Sequence, residues 1–180
     1  MTTTFPEKST LFVDESKSNG YFLVATTSTT GGVRRTSQSI RSLVRRGQRR
    51  IHFKSESPAS RRALLSHFGE LQLTTHVYVV KGLQDAVARP RCLVRLIEDA
   101  ADSGVVGLYL ERDESVEARD RITIRETLQR VGYREQLAYE HVSPSDQPLL
   151  WVSDAVAWCH QAGGEWRRRA DSLVSGVTQL

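Results

Sequence analysis

Long hydrophobic runs are missing from this sequence, and cysteine is scarce. No stretch approaches the roughly 20 apolar residues that a membrane-spanning helix needs. The polar start, residues 1–10, has neither the basic region nor the apolar core of a signal peptide, so we expect a cytoplasmic protein with no membrane partner. The two cysteines, Cys92 and Cys159, do not form a Cys-x-x-Cys spacing, which argues against a structural zinc site and against a disulfide framework.

Several catalytic motifs are also absent. The glycine turn at Thr29–Gly32 is not followed by the Lys-Ser/Thr pair of a phosphate-binding loop. No Gly-x-Ser-x-Gly elbow is present, and the five histidines show no zinc-binding spacing. These absences leave the acidic and basic residues as the main candidates for chemistry.

The apolar pattern predicts strands that alternate with helices after an opening β-hairpin. Strands are predicted at 11–14, 20–28, 50–54, 74–81, 105–111 and 137–141. Helices are predicted at 33–46, 59–68, 90–102, 114–131 and 148–161, with a basic tail helix at about 164–175. This order indicates one α/β domain over residues 1–180, with its core at about 11–162 and a mixed sheet flanked by helices.

Positive charge is concentrated in one segment. Residues 33–62 carry ten basic side chains and one acid, a net charge of +9, while the remainder of the chain carries −5. Such asymmetry favours a polyanionic partner, most simply nucleic acid, although a solvated helix face would also account for it. The predicted nucleic-acid-binding residues lie along the basic helix and the short strand after it: Arg34, Arg41, Arg45, Arg49, His52 and Lys54.

Acidic residues follow or interrupt apolar segments at several points. Asp14 and Asp154 are the clearest cases, because a buried carboxylate is costly unless a metal or a cation accompanies it. Ligand sites of α/β sheets lie beyond the carboxyl ends of parallel strands, where the strand from Val105 also ends in acids. Oxygen donors suit Mg²⁺ or Mn²⁺. The predicted metal ligands are Asp14, Glu15, Glu111, Asp113, Asp120 and Asp154.

Structural roles are the alternative explanation for several of these acids. Asp154 would then pair with a buried arginine, and Asp14 would cap the hairpin turn. Asp113 and Asp120 precede or begin the helix predicted at 114–131, where the helix dipole favours negative charge.

Two strings of this sequence resemble a known family. Phe-Val-Asp-Glu-Ser at Phe12–Ser16 and Leu-Trp-Val-Ser-Asp-Ala-Val-Ala at Leu150–Ala157 are similar to the opening and closing motifs of the domain-of-unknown-function family 3800. Ile-His-Phe-Lys at Ile51–Lys54 resembles its middle strand. Trp151 and Ser153 differ from the residues that are common in the closing motif.

The resemblance implies a ribonuclease H-like fold with acids of the first strand and the last helix at a metal site. By matching position, Asp14 and Asp154 are those acids, and Glu111 or Asp113 stands at the strand-end position. We therefore predict a metal-dependent nuclease that hydrolyses phosphodiester bonds in RNA or DNA, with Asp14, Glu111 and Asp154 as catalytic residues and Mg²⁺ or Mn²⁺ as cofactor. A non-catalytic nucleic-acid-binding or protein-interaction module on the same fold is the alternative.

Overall fold

The computed structural model describes residues 5–180, so residues 1–4, part of the polar start, lie outside the described chain. The strands are β1 (Ser9–Ser16), β2 (Tyr21–Thr29), β3 (Thr74–Val80), β4 (Gly107–Glu111), β5 (Ala138–Val142) and β6 (Val174–Gln179). The helices are α1 (Val33–Arg41), α2 (Pro58–Glu70), α3 (Asp85–Asp102), α4 (Glu117–Arg130), α5 (Leu149–Ala162) and α6 (Gly164–Ala170). No helix of residues 5–180 combines the length and apolarity needed to cross a membrane.

The six strands form one mixed sheet in the order β5-β4-β1-β2-β3-β6. β2 is antiparallel to β1 and to β3, so the chain opens with the predicted hairpin. β4 runs parallel to β1, β5 parallel to β4, and β6 parallel to β3. The carboxyl ends of β1, β4 and β5 therefore meet at one edge of the sheet.

Helices cover both faces of the sheet, and alternation along the strands separates two cores. Phe12 and Val24 face a core formed with α2, α5 and the segment that links α1 to α2. Leu11 and Leu23 face the opposite core, formed with α3 and α4. A residue's position in β1 therefore decides which layer its side chain joins.

The strand predicted at 50–54 is wrong. Ile51 and Phe53 are buried in the α5-side core, and their spacing imitates the period of a strand. The segment pairs with no strand of the sheet; it is extended up to His52 and then forms a short 3₁₀ turn at Phe53–Ser55. Two buried anchors on a connecting loop thus give the same pattern as an edge strand.

Two helix ends within the core differ from the prediction by five residues each. α1 ends at Arg41 rather than at Arg46, because the N–H groups of Leu43 and Val44 turn to carbonyls three residues back and unwind the helix into turns. α3 begins at Asp85, so Pro90 lies inside the helix rather than opening it. A proline there forfeits one backbone hydrogen bond, and α3 tolerates that loss within its buried packing.

The C-terminal tail was also predicted incorrectly. The tail helix ends at Ala170 instead of 175, and β6 follows it, so 137–141 is not the last strand. β6 is an edge strand with alternating half-buried and exposed residues, and it is stabilised mainly by its pairing with β3. Gly176 is required there, since an added Cβ would lie 2.8 Å from the His76 ring.

Candidate active site

A polar cleft of about 380 Å³ opens at the sheet edge where β1 and β4 end. Asp14, Glu111 and Asp154 lie in its wall, and we call this site the carboxylate cleft. Its other walls are formed by the hairpin turn, the segment after α1 and the exposed side of α5: Glu15, Ser16, Lys17, Ser18, Arg50, His52, Lys54, Trp158 and Gln161. The fold therefore brings together the three acids predicted to be catalytic.

Strand register places Asp14 beside Glu111. Phe12 pairs with Tyr109 across the parallel β1–β4 ladder, and their rings stack with centroids 5.4 Å apart. Each acid follows its aromatic residue by two positions, so both acids lie on the same face of the sheet, one step beyond the stacked rings. The two carboxyl groups are close enough for one, when protonated, to donate a hydrogen bond to the other.

Asp154 reaches the cleft from α5, which is fixed against the sheet by the preceding residue. The Ser153 hydroxyl donates to the Phe12 carbonyl at 2.7 Å and lies 2.6 Å from the Thr26 hydroxyl. The small serine allows α5 to approach β1 closely. The Asp154 Oδ2 atom accepts a hydrogen bond of 3.0 Å from the Phe53 backbone N–H.

The pKa of each of the three acids is raised, and burial is the largest cause in every case. Burial is the largest cause of the high pKa of Asp14, followed by the charges of Glu111, Asp154 and Glu15. Burial also raises the pKa of Glu111, although the bond with Asp14 and the charge of Arg50 oppose it. For Asp154, burial raises the pKa against the opposing effect of the Phe53 N–H. Such a cluster favours a bound proton or cation.

A basic rim, formed by Arg50, His52 and Lys54, faces the acids across the cleft. The Arg50 guanidinium lies 3.9 Å from Glu111, and the His52 ring bonds to the Ser55 hydroxyl at 3.2 Å. Two of these residues, His52 and Lys54, were predicted to bind nucleic acid. Since they protrude from a loop rather than from a strand, both are exposed.

Other cleft residues were not predicted. Trp158 and Gln161 lie four and seven residues after Asp154, which places all three on one side of α5; that spacing was the available signal. Lys17 reaches Glu15 at 3.1 Å and Asp113 at 3.8 Å. Lys17 lies in the cleft because of the hairpin turn between β1 and β2, and the sequence pattern contained no signal for that position.

Three of the predicted metal ligands are held by partners within the protein. Glu15 lines the cleft but pairs with Arg89 at 2.9 Å. Asp113 accepts bonds from the Ser115 amide and hydroxyl, which lower its pKa. Asp120 lies in the α3–α4 layer, on the other face of the sheet.

Asp120 is held in a buried ion-pair network. Arg89 donates to both of its carboxylate oxygens at 2.7 Å, and His141 lies 3.0 Å from Oδ2. Burial would raise the pKa of Asp120, but these bonds hold it below its ordinary value. Pairing with a buried arginine was the alternative explanation for Asp154. In the structure it is Asp120 that has such a partner.

The arginines predicted to line one face of a basic helix do not share one face in the structure. Arg41 donates to the carbonyl oxygens of Ser145 and Asp146, at 3.4 and 2.8 Å. Arg45 lies beyond the end of α1 and pairs with the buried Glu56 at 2.7 Å. Arg34 and Arg49 are exposed. The charge of Arg45 is therefore met within the protein.

Within residues 5–180, no three His, Cys, Asp or Glu side chains form a group arranged to hold a metal ion. Asp14, Glu111 and Asp154 share a cleft without being such a ready-made group.

Comparison with solved structures identifies the fold. No protein-family model and no curated protein matches the chain. The chain is similar to a solved structure described as the PCNA:RNase HII complex from Archaeoglobus fulgidus, with a TM-score of 0.54 and 14% identity over 87% of this chain and 73% of that chain. At this identity the likeness shows the fold alone, which is ribonuclease H-like, as predicted.

Proposed function

We propose that this protein hydrolyses phosphodiester bonds in nucleic acid with the help of divalent metal ions. The observation that carries the proposal is the convergence of Asp14, Glu111 and Asp154 in one cleft beside a basic rim. Acids gathered with raised pKa values favour a bound proton or a cation, and basic side chains beside them suit a phosphate. The ribonuclease H-like fold supports this reading, as does the resemblance of two acidic strings to family 3800.

The donor set fits Mg²⁺ or Mn²⁺ by its chemistry. Hard cations prefer carboxylate oxygens, and Asp14, Glu111 and Asp154 would hold the ion. Bound there, the ion would supply Lewis acidity toward phosphoryl oxygens and would favour the ionisation of water. We expect ion binding to order the three side chains, because it removes the repulsion that, after burial, raises the pKa of Asp14.

The chain's own groups would position the substrate. Arg50 and Lys54 line the cleft with the acids and would contact phosphate oxygens. The Phe53 N–H keeps one Asp154 oxygen oriented, so the other oxygen is available to the cleft. Lys17 lies at the cleft edge, where it offsets the charge of Glu15.

Cleavage of labelled oligonucleotides tests the proposal directly. RNA and DNA, single-stranded and duplex, should be incubated with Mg²⁺, Mn²⁺ or chelator, using wild type, Asp14→Asn, Asp154→Asn and the control Asp102→Asn at the exposed end of α3. We expect metal-dependent cleavage that both cleft variants lose and the control keeps. Cleavage that persists in Asp14→Asn, or no cleavage of any substrate, would contradict it.

A non-catalytic nucleic-acid-binding module is the second candidate. The observation that favours it is that no ready-made metal group exists among residues 5–180. Under this reading the wild type binds oligonucleotides with a steep salt dependence but neither cleaves them nor responds to Mn²⁺.

A further inference from the structure

A continuous surface of aromatic and basic side chains leads away from the carboxylate cleft. Trp158 lies in the cleft wall, and its ring meets that of Trp166 edge-on, with centroids 5.6 Å apart. The Arg61 guanidinium lies 4.1 Å from the Trp158 centroid and 5.7 Å from that of Trp166. Arg62 lies 5.7 Å from the Trp166 centroid. We call these four residues the tryptophan–arginine ridge.

Two exposed arginines follow the ridge in sequence, on α6. Arg167 and Arg168 directly follow Trp166 on α6, are exposed, and form no ion pair among the described residues. The nearby acid Glu165 is already engaged by Arg169 at 2.7 Å and by Arg62 at 3.8 Å. Positive charge therefore persists from the basic rim, past the two tryptophans, to α6.

This surface differs from the basic segment around α1. There, Arg41 donates to loop carbonyls and Arg45 pairs with a buried acid, so both guanidinium groups have partners within the protein. At the ridge, Arg61 stacks on the Trp158 ring and donates to the Phe53 and Lys54 carbonyls, and Arg62 lies 3.8 Å from Glu165. The guanidinium groups left to bind a phosphate there are those of Arg167 and Arg168, which form no ion pair within residues 5–180.

We propose that a single-stranded nucleic acid binds along the tryptophan–arginine ridge, from the carboxylate cleft to Arg167 and Arg168. Unpaired bases stack on aromatic side chains irrespective of their sequence, and cationic side chains follow the backbone. A duplex keeps its bases stacked internally and would not stack them on the two half-buried tryptophans. This inference rests on the proposed function for its substrate class, but it concerns binding and needs no catalysis.

The test measures binding in chelator, so that neither metal nor cleavage contributes. Fluorescein-labelled 12-mers of oligo(dT) and oligo(U), and a 12-base-pair DNA duplex, are titrated at several salt concentrations. Three double variants are compared: Arg167→Gln with Arg168→Gln; Arg34→Gln with Arg35→Gln on α1; and Arg125→Gln with Arg134→Gln. Each pair is exposed, and the last belongs to the α4 side of the sheet.

We expect the α6 variant alone to bind single strands more weakly, with a salt slope reduced by about 1.4 for two lost phosphate contacts. Intrinsic tryptophan fluorescence should be quenched by the single strands, and Trp166→Phe should diminish that quenching. Tighter binding of the duplex, an equal loss in the α1 variant, or no effect of the α6 variant would overturn the proposal.

The result also separates this proposal from the nuclease proposal. Unaltered binding in the α6 variant together with metal-dependent cleavage by wild type would refute the ridge and retain the nuclease. Single-strand binding along α6 without cleavage by wild type would refute the nuclease proposal and retain the ridge. Binding of an acidic peptide in preference to oligonucleotides would refute the ridge as a nucleic-acid surface.

Discussion

The Phe53 backbone N–H donates a 3.0 Å hydrogen bond to Asp154 Oδ2, and this contact joins the basic rim to the carboxylates. Phe53 is fully buried, so its backbone position is fixed by packing rather than by solvent. The residues on both sides of it, His52 and Lys54, face the cleft. This hydrogen bond thus links Asp154 to the segment that carries the basic rim.

Asp14 should make the metal-free protein less stable as pH rises. Its pKa is raised in the folded state by burial first and then by neighbouring acids, so folding favours its protonated form. The resulting stability is present below the unfolded pKa of 3.8 and is lost as pH rises through the raised folded pKa. Asp14→Asn should reduce this dependence and stabilise the metal-free protein at pH 7.

Thermal unfolding in chelator between pH 4 and pH 8 measures the effect. Relief of about 1 kcal/mol corresponds to a rise of roughly 2–4 °C for a chain of this length. Asp102→Asn is the control, because Asp102 is exposed. A midpoint at pH 7 that is lower in Asp14→Asn than in wild type would show that the Asp14 carboxylate is stabilised, contrary to the expectation.

Substitution of Asp120 should leave the stabilisation by metal intact, whereas substitution of Asp154 should remove most of it. Asp120→Asn leaves Arg89 buried with fewer partners, so we expect a loss of about 3 kcal/mol in the free energy of unfolding, with the Mn²⁺-induced rise of the thermal midpoint retained. Asp154→Asn should lose most of that rise. Denaturant unfolding and thermal shifts with and without Mn²⁺ measure both quantities. If Asp120→Asn abolished the metal response, Asp120 would belong to the ion site.

The sheet and the three clustered acids could be predicted because their signals are local. Asp14, Glu111 and Asp154 each end or interrupt an apolar run, and topology then brings strand ends together. The metal prediction for Asp120 did not foresee its buried partners, since Arg89 and His141 are distant in sequence and nothing local marks them as such.

The loop and tail errors have a different origin. The segment 50–54 shows alternation because two loop residues are buried, and burial depends on α5. β6 exists through pairing with β3, about 100 residues earlier. The stacking of Arg61 on Trp158 likewise joins α2 to α5, and helix propensity contains no information about it. These features depend on contacts between distant segments, so the residue pattern of one segment contains no signal for them.

Arg61 should act as a positioning residue for the basic rim. It donates to the Phe53 carbonyl at 3.0 Å and to the Lys54 carbonyl at 2.6 Å, while its guanidinium lies against the Trp158 ring. Arg61→Gln loses both the fork of donors and the charge, and Arg61→Lys keeps only the charge. We expect each variant to lose about 1–2 kcal/mol of stability.

The matched control for Arg61 is its neighbour. Arg62→Gln removes an adjacent guanidinium that contacts Trp166 and makes no bond to residues 50–55. Arg61 variants, but not Arg62→Gln, should shift the amide resonance of Phe53, which reports the bond to Asp154. A Phe53 resonance unmoved in Arg61→Gln would show that packing alone holds the segment.

His160 should destabilise the protein in mild acid. Burial lowers its pKa from 6.5 to about 4, and its Nε2 atom has no hydrogen-bond partner among the described residues. Between pH 6.5 and about 4, His160 is protonated in the unfolded chain but neutral in the folded protein. Stability therefore falls as pH decreases through this range. The expected loss is roughly 2 kcal/mol.

His160→Leu removes the titrating group while retaining an apolar side chain beside Phe22. Denaturant unfolding at pH 7 and at pH 4.5 should show a smaller difference for this variant than for wild type. His67→Leu is the control, because His67 is exposed and its loss should leave the difference unchanged. Equal pH dependence in wild type and His160→Leu would assign the acid sensitivity to another group.

The effect of His160 is separable from that of Asp14 by the direction of the pH dependence. The ionisation of Asp14 lowers stability as pH rises, whereas the protonation of His160 lowers stability as pH falls.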